Sequence, residues 1–226
     1  MQTLRPDECR ALGTLIEKAM TVPGQYPLSL NSLVTGINQK SNREPVVEID
    51  EDGALRAVDG LRAKGLARDV TFTGSRVEKY RHTAGEALEA RAPELAILAE
   101  LLLRGPQTVG ELRGRASRMH PFDSLEAVEA VLAGLAARAT PLVREHAPLA
   151  GSRANRWSQL LCPDLHRIAE GVPSAPSGQT REETRLSDSA APSPDALLST
   201  RVASLEARVD MLERMLAELR ASLGST

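Results

Sequence analysis

Gly74-Ser75-Arg76-Val77-Glu78-Lys79-Tyr80 and Gly151-Ser152-Arg153-Ala154-Asn155-Arg156-Trp157 carry one pattern twice: Gly-Ser-Arg, two further residues, a basic side chain and an aromatic ring. Each copy follows an apolar helical run and a short β-like segment. The repeat therefore predicts a glycine-turned hairpin that closes each of two small helical units. Helices followed by a hairpin form the winged-helix plan. The expected fold is mainly α with small β-hairpin wings, an α+β chain of two tandem winged-helix domains over residues 1–85 and 90–165.

Working outward from the hairpins, the periodicities place the helices. In the first unit Cys9, Leu12, Ile16 and Ala19 make one stripe of a helix starting near Pro6. Leu30, Leu33, Val34 and Ile37 stripe a second helix, capped by Ser29, which the polar run Asn38–Glu44 and Pro45 end. A third opens at Asp50, turns Leu55, Val58 and Leu61 inward and stops at Gly65. In the second unit Leu95, Leu98 and Leu102 repeat the first stripe, and Thr108 with Glu111 forms a capping box for the next helix. Asp123 with Glu126 is read as the cap of the third helix, with Leu125, Val128, Leu132 and Leu135 facing the core.

Residues 171–196 turn to Pro, Ser, Gly and charge without periodicity, which predicts a flexible linker. Over 197–224 a heptad seam appears, with Val202, Val209 and Leu216 at a and Leu205, Leu212 and Leu219 at d. β-Branched a residues over Leu at d favour a two-stranded parallel coiled coil. Arg201 and Arg208 would meet Glu206 and Glu213 of the other chain only in that orientation, so the partner expected is a second copy in a parallel homodimer.

The resemblance to a known family rests on long stretches: Gln25-Tyr26-Pro27-Leu28-Ser29-Leu30-Asn31, Asn38-Gln39-Lys40-Ser41-Asn42-Arg43-Glu44-Pro45, the first hairpin, and Leu101-Leu102-Leu103-Arg104-Gly105 with Gln107-Thr108 and Gly110-Glu111-Leu112-Arg113. Together they resemble the YceH family of bacterial proteins over about residues 4–161. That resemblance implies tandem winged-helix domains followed by a variable linker and coiled tail. It implies no catalytic or ligand residues.

Bulk chemistry bounds the function. A net charge of -2, from 28 Lys+Arg against 30 Asp+Glu, excludes a protein whose whole surface attracts nucleic acid, so any such contact is local. Two isolated cysteines make neither a disulfide framework nor a zinc motif. Nothing approaches a membrane span or the apolar core of a signal peptide, so a cytoplasmic protein is expected. His82, His120, His146 and His166 are scattered without a paired carboxylate or nucleophile, and no phosphate-binding glycine loop is present. The reading is a non-enzymatic protein without metal or cofactor.

Duplex DNA is the partner a winged helix suggests. Candidate phosphate contacts are Arg76, Lys79 and Arg81 on the first wing, Arg153 and Arg156 on the second, Lys40, Asn42 and Arg43 in the polar segment, and Arg113, Arg115 and Arg118 clustered on the second unit's middle helix. The third helices argue against ordinary groove readout. Asp50, Glu51, Asp52 and Asp59 outnumber Arg56, Arg62 and Lys64 on one, and the other runs from Asp123 to Arg138 with three acids against one base. The rival function is a protein-interaction scaffold whose acidic third helices dock a protein partner.

Overall fold

Proline at the first helical position removes an N–H that would have no partner there, and Arg5-Pro6 opens α1 (Pro6–Thr21) in this way. The backbone N–H of Arg5 donates to Glu8 Oε2 at 2.8 Å, closing the helix start. The computed structural model describes residues 3–71, 77–148, 152–163 and 165–166. These residues belong to one compact unit. Arg76, the linker at 171–196 and the heptads at 197–224 lie outside the described residues.

The described chain is mixed α and β, with helices and small antiparallel sheets. After α1 come β1 (Leu28–Ser29), α2 (Leu30–Ile37), α3 (Glu51–Ala63), β2 (Ala67–Val70) and β3 (Lys79–His82). The three strands form one antiparallel sheet in the order β1-β3-β2. A short helix, α4 (Ala84–Ala87), leads to α5 (Ala92–Arg104), α6 (Val109–Ala116), α7 (Leu125–Ala136), β4 (Val143–His146) and β5 (Arg156–Gln159). The second half thus repeats the order of the first. Tyr80 pairs with Leu28 of β1, and at the matching place Trp157 bridges to Gln107.

Local chemistry explains most boundaries. Ser29 Oγ accepts from Ser32 N at the start of α2, Asp50 Oδ1 from Gly53 N at α3, and Thr108 and Glu111 form the expected reciprocal box at α6. At α7 the cap is Ser124, which accepts from Ala127 N, rather than Asp123. Two expected core leucines are instead exposed, Leu55 at 36% and Leu125 at 44%. The inward face of α3 is Ala54, Ala57, Val58 and Leu61. Alanines at two of those positions let the helix sit close to the core, and the apolar stripe rotates away from Leu55 as a result.

The stripe read for α1 is also incomplete. Every residue from Glu8 to Glu17 is buried, as is every residue of α5 from Leu95 to Leu103. A helix buried all round needs neighbours on both sides, and each of these two has the other. Close approach is possible because Gly13 has no side chain: a Cβ there would lie 2.9 Å from Leu103 Cγ and 3.1 Å from Leu102 Cβ.

The carboxylates drawn into this seam are ion-paired, while Arg10 Nε makes no hydrogen bond. Glu17 accepts from Arg43 Nη1 at 3.1 Å and Nη2 at 2.5 Å, and also from Arg118. Arg118 reaches Glu100 Oε2 at 2.9 Å, and Glu100 Oε1 lies 3.0 Å from Arg104 Nε. Arg104 in turn donates to Asn42 Oδ1. Arg10, buried without a carboxylate partner, donates to the carbonyls of Leu103 at 3.0 Å and Pro45 at 2.6 Å. Burial pushes the Glu17 carboxyl upward, but Arg43 and Arg118 outweigh it and hold the pKa below the ordinary value.

Removing one member of such a set leaves buried charge uncompensated. Glu17→Gln should therefore cost about 3–5 kcal/mol and lower Tm by on the order of 10 °C in thermal melts. The double change Glu17→Met with Arg43→Met should recover much of the loss, and equal losses for both variants would refute the pairing argument.

His82 gives a pH dependence. Its ring packs 6.0 Å from Tyr26, its backbone N–H donates to Tyr26 Oη at 2.6 Å, and its Nδ1 is buried without a hydrogen-bond partner. Burial, aided by Arg81, lowers its pKa from 6.5 to about 4. The folded state thus holds the neutral ring while the unfolded chain binds the proton. The contribution is complete above pH 6.5 and is lost as pH falls towards 4, amounting to roughly 3 kcal/mol. Denaturant titrations at pH 7 and pH 4.5 should show this loss, and His82→Gln should flatten it.

Candidate nucleic-acid interface

Side chains directly opposed in an antiparallel pair share one face of the sheet, and successive residues alternate between faces. Register therefore sorts the first hairpin. Ala67 opposes His82 and Asp69 opposes Tyr80 on one face, while Arg68 opposes Arg81 and Val70 opposes Lys79 on the other. Ala67 and Tyr80 are buried, which makes theirs the inner face. The outer face carries Arg68, Lys79 and Arg81 with Val70. Arg68 is exposed, and Lys79 and Arg81 are half-buried. Arg81 Nε has no hydrogen-bond partner. Like charges opposed across strands repel one another, and no residue of β2 or β3 on this face is acidic.

Tyr80 anchors the sheet from below. Its side chain is buried and its hydroxyl donates to Glu78 Oε2 at 2.8 Å. Burial and the Glu78 carboxylate raise its pKa to about 12. Tyr26, also raised to about 12 by burial, joins β1 to β3 through the His82 backbone. The tyrosine rings thus anchor the hairpin to the core from the side opposite the cations.

The matching sheet of the second half is different. Arg144 opposes Ser158, and His146 opposes Arg156, with His146 Nε2 and Ser158 Oγ 2.7 Å apart. Arg156 donates to the Pro106 carbonyl at 3.0 Å and to Glu111 Oε2 at 3.2 Å. Glu111 also faces Arg115 Nη2 at 3.4 Å. Burial would raise the Glu111 pKa, but the Thr108 amide together with Arg156 and Arg115 holds it low, so the carboxylate stays charged beside them.

The other residues singled out from sequence fall into separate places. Arg43 is a correction: its guanidinium is fully buried on Glu17 and the Gly36 carbonyl, so it belongs to the interior and not to a phosphate-binding surface. Asn42, in the left-handed region at φ 59°, is occupied by Arg104. Arg113 spans to the carbonyls of Phe122 and Asp123, and Arg115 donates to Gln107 Oε1 at 2.8 Å. Lys40 and Arg153 are exposed, and Arg76 lies outside the described residues. The structure thus brings Lys79 and Arg81 together, with Arg68 added. Arg68 was missed because its face is fixed only by its register with Arg81 across the strand.

Both third helices turn carboxylates outward. On α3 the exposed residues include Glu51, Asp52, Arg56, Asp59 and Arg62, and Arg62 is held by Asp59 at 3.1 Å and Asp69 at 2.7 Å. On α7 they include Glu126 and Glu129 among Leu125, Ala130, Ala133 and Gly134, with no base from Leu125 to Ala136. Among the described residues no three His, Cys, Asp or Glu side chains converge in a group able to hold a metal ion. No helix there is long and apolar enough to cross a membrane.

Residues 4–152 match a family described as a protein of unknown function, DUF480. A UPF0502 protein from Pelobacter propionicus is 48% identical over 217 residues, covering 96% of this chain and 96% of that protein. Another from Geotalea uraniireducens is 53% identical over 169 residues, 74% of this chain and 76% of its own. A third, from Shewanella pealeana, is 40% identical over 226 residues, 98% of this chain and 97% of its own. With more than half its length matched and relatives aligned nearly end to end, the chain belongs to this family, the YceH-like UPF0502 proteins described as DUF480.

Proposed function

We propose that this protein is a non-enzymatic, dimeric DNA-binding protein of regulator type, built from two tandem winged-helix units and paired through its C-terminal heptads. Support for the winged-helix reading comes from the order helix, edge pairing, helix, helix, hairpin, which occurs twice, and from the β1-β3-β2 sheet. The observation that carries the DNA reading is Arg68 opposite Arg81, beside Lys79, on an outer sheet face without an acid of its own. Hairpin arginines held at strand spacing reach successive phosphates, and the contact supplies affinity through counterion release.

Binding to duplex DNA should weaken steeply with salt. Each lost phosphate contact reduces the slope of log K against log salt by about 0.9. Arg68→Glu should lower the slope by at least that amount in fluorescence-anisotropy titrations while leaving the circular dichroism spectrum unchanged. Wild-type affinity that is indifferent to salt would refute the reading.

Assembly depends on the a and d positions Val202, Leu205, Val209, Leu212, Leu216 and Leu219. Sedimentation equilibrium of the whole chain should give a dimer, and truncation after residue 196 a monomer. A truncated dimer would place the interface elsewhere. The dimer would add avidity to individually weak contacts.

A further inference from the structure

A groove in the first half takes no part in the DNA-binding reading. It is a cavity of about 260 Å³ between the C-terminal end of α1 and the outer side of α2. Lys18 and Val22 border it from α1, Asn31, Ser32 and Thr35 from α2, and Gln39 just beyond α2. Leu28 of β1 lines it from the core side and is buried there. We infer that this groove binds a small hydroxylated carboxylate, whose carboxylate is held by Lys18 and Gln39 and whose hydroxyls are held by α2.

The donor pair is fixed by the network behind it. Lys18 Nζ donates to Gln39 Oε1 at 2.9 Å, and an ammonium has three donors, so two remain. Gln39 Oε1 also accepts from Arg43 Nη2 at 3.0 Å. With its oxygen shared by two cations, Gln39 is left with its NH₂ group to offer a further acceptor. An ammonium and an amide NH₂ side by side suit the two oxygens of one carboxylate. Glu17 Oε2 lies 3.7 Å from Lys18 Nζ, but Arg43 and Arg118 already share that carboxylate and balance its charge.

Charge sets the class of ligand. Lys18 is the one charged side chain among those lining the groove. Arg43, behind Gln39, has its guanidinium on Glu17, the Gly36 and Asn42 carbonyls and Gln39 itself. Phosphate dianions are recognised by arginine forks or by several cations together, whereas a single point charge suits a monoanion. The α2 wall adds hydroxyls and an amide. Thr35 Oγ1 donates to the Asn31 carbonyl at 2.9 Å, and Ser32 Oγ lies 2.9 Å from Ser29 Oγ. Each hydroxyl oxygen retains a lone pair for a ligand O–H, and the Asn31 side chain can both donate and accept. Val22 and Leu28 supply apolar surface for the carbon chain between the polar ends.

The test uses the full-length protein in isothermal titration calorimetry, with gluconate, sorbitol and inorganic phosphate as probes. Gluconate should bind with Kd on the order of 1 mM, the strength expected of so small a ligand. Sorbitol, which has the hydroxyls and lacks the carboxylate, should bind at least about tenfold more weakly, as should phosphate. Lys18→Met retains a side chain able to cover Gly36, where a Cβ would lie 3.6 Å from Lys18 Cε, and should weaken gluconate about tenfold or more. Thr35→Val should weaken it about threefold, with circular dichroism unchanged in both variants. Lys40→Met, at an exposed lysine that does not line the groove, should leave it unchanged. Absence of gluconate binding, sorbitol or phosphate binding as tightly as gluconate, or equal effects of Lys18→Met and Lys40→Met would each overturn the inference. Where Lys18→Met fails to fold, Thr35→Val decides, and a wild-type Kd in that variant overturns it. None of these outcomes alters the DNA-binding reading, which does not involve the groove.

Discussion

The glutamate pair Glu17 and Glu100 governs this molecule, because each carboxylate is buried and each is shared between guanidinium groups that come from different parts of the chain. Glu17 joins α1 to Arg43 in the segment before α3 and to Arg118 beyond α6, and Glu100 joins Arg118 to Arg104 on α5. One arginine therefore ties both halves together. Desolvating two carboxylates is costly, and the cost is offset only where geometry allows multiple charge-assisted bonds. That requirement fixes how α1 lies on α5, since Arg118 can satisfy both acids only when the two helices are side by side. Gly13 makes this separation sterically possible. The two halves are thus held rigidly, and each sheet faces outward from a common core.

Interior and surface arginines consequently do different work in a chain whose total charge is nearly balanced. Those at the seam face carboxylates or helix carbonyls, and Arg113 secures the loop that precedes α7. Arg68 and Arg81 stand out because strand register, and not proximity in sequence, places them on one face. A like-charged cross-strand pair costs stability, and an anion laid across it would relieve that cost.

Much of this was legible in the residues. The Gly-Ser-Arg repeat predicts the paired hairpins, and cap residues at Ser29, Asp50 and Thr108 locate three helix starts because capping is a local interaction. What escaped was non-local. Leu55 and Leu125 look like core by spacing, yet helix rotation is set by what packs opposite: α3 turns Ala54 and Ala57 inward, and α7 turns Val128, Leu132 and Leu135 inward. Arg43 sits in a run of polar residues that reads as an exposed loop, because nothing in the run announces that Glu17, far away in sequence, is buried and in need of a partner. The same blindness hid Arg68. Its significance comes from Arg81 across the strand, and a pairing register can be read only once the hairpin closes.

The two halves repeat one order of elements yet differ at one helix position beside their sheets. A glutamate three residues after a threonine cap is a favoured way to start a helix, and at α6 it also reaches the strand cation Arg156. Ser32 supplies only a hydroxyl at the matching place, and α2 starts on serine hydroxyls alone. At α6 the carboxylate serves both the cap and the sheet, because it accepts from Thr108 N and pairs with the strand cation Arg156. The choice of helix cap, ordinarily a matter of local stability, at α6 also ties the helix start to a strand far away in sequence.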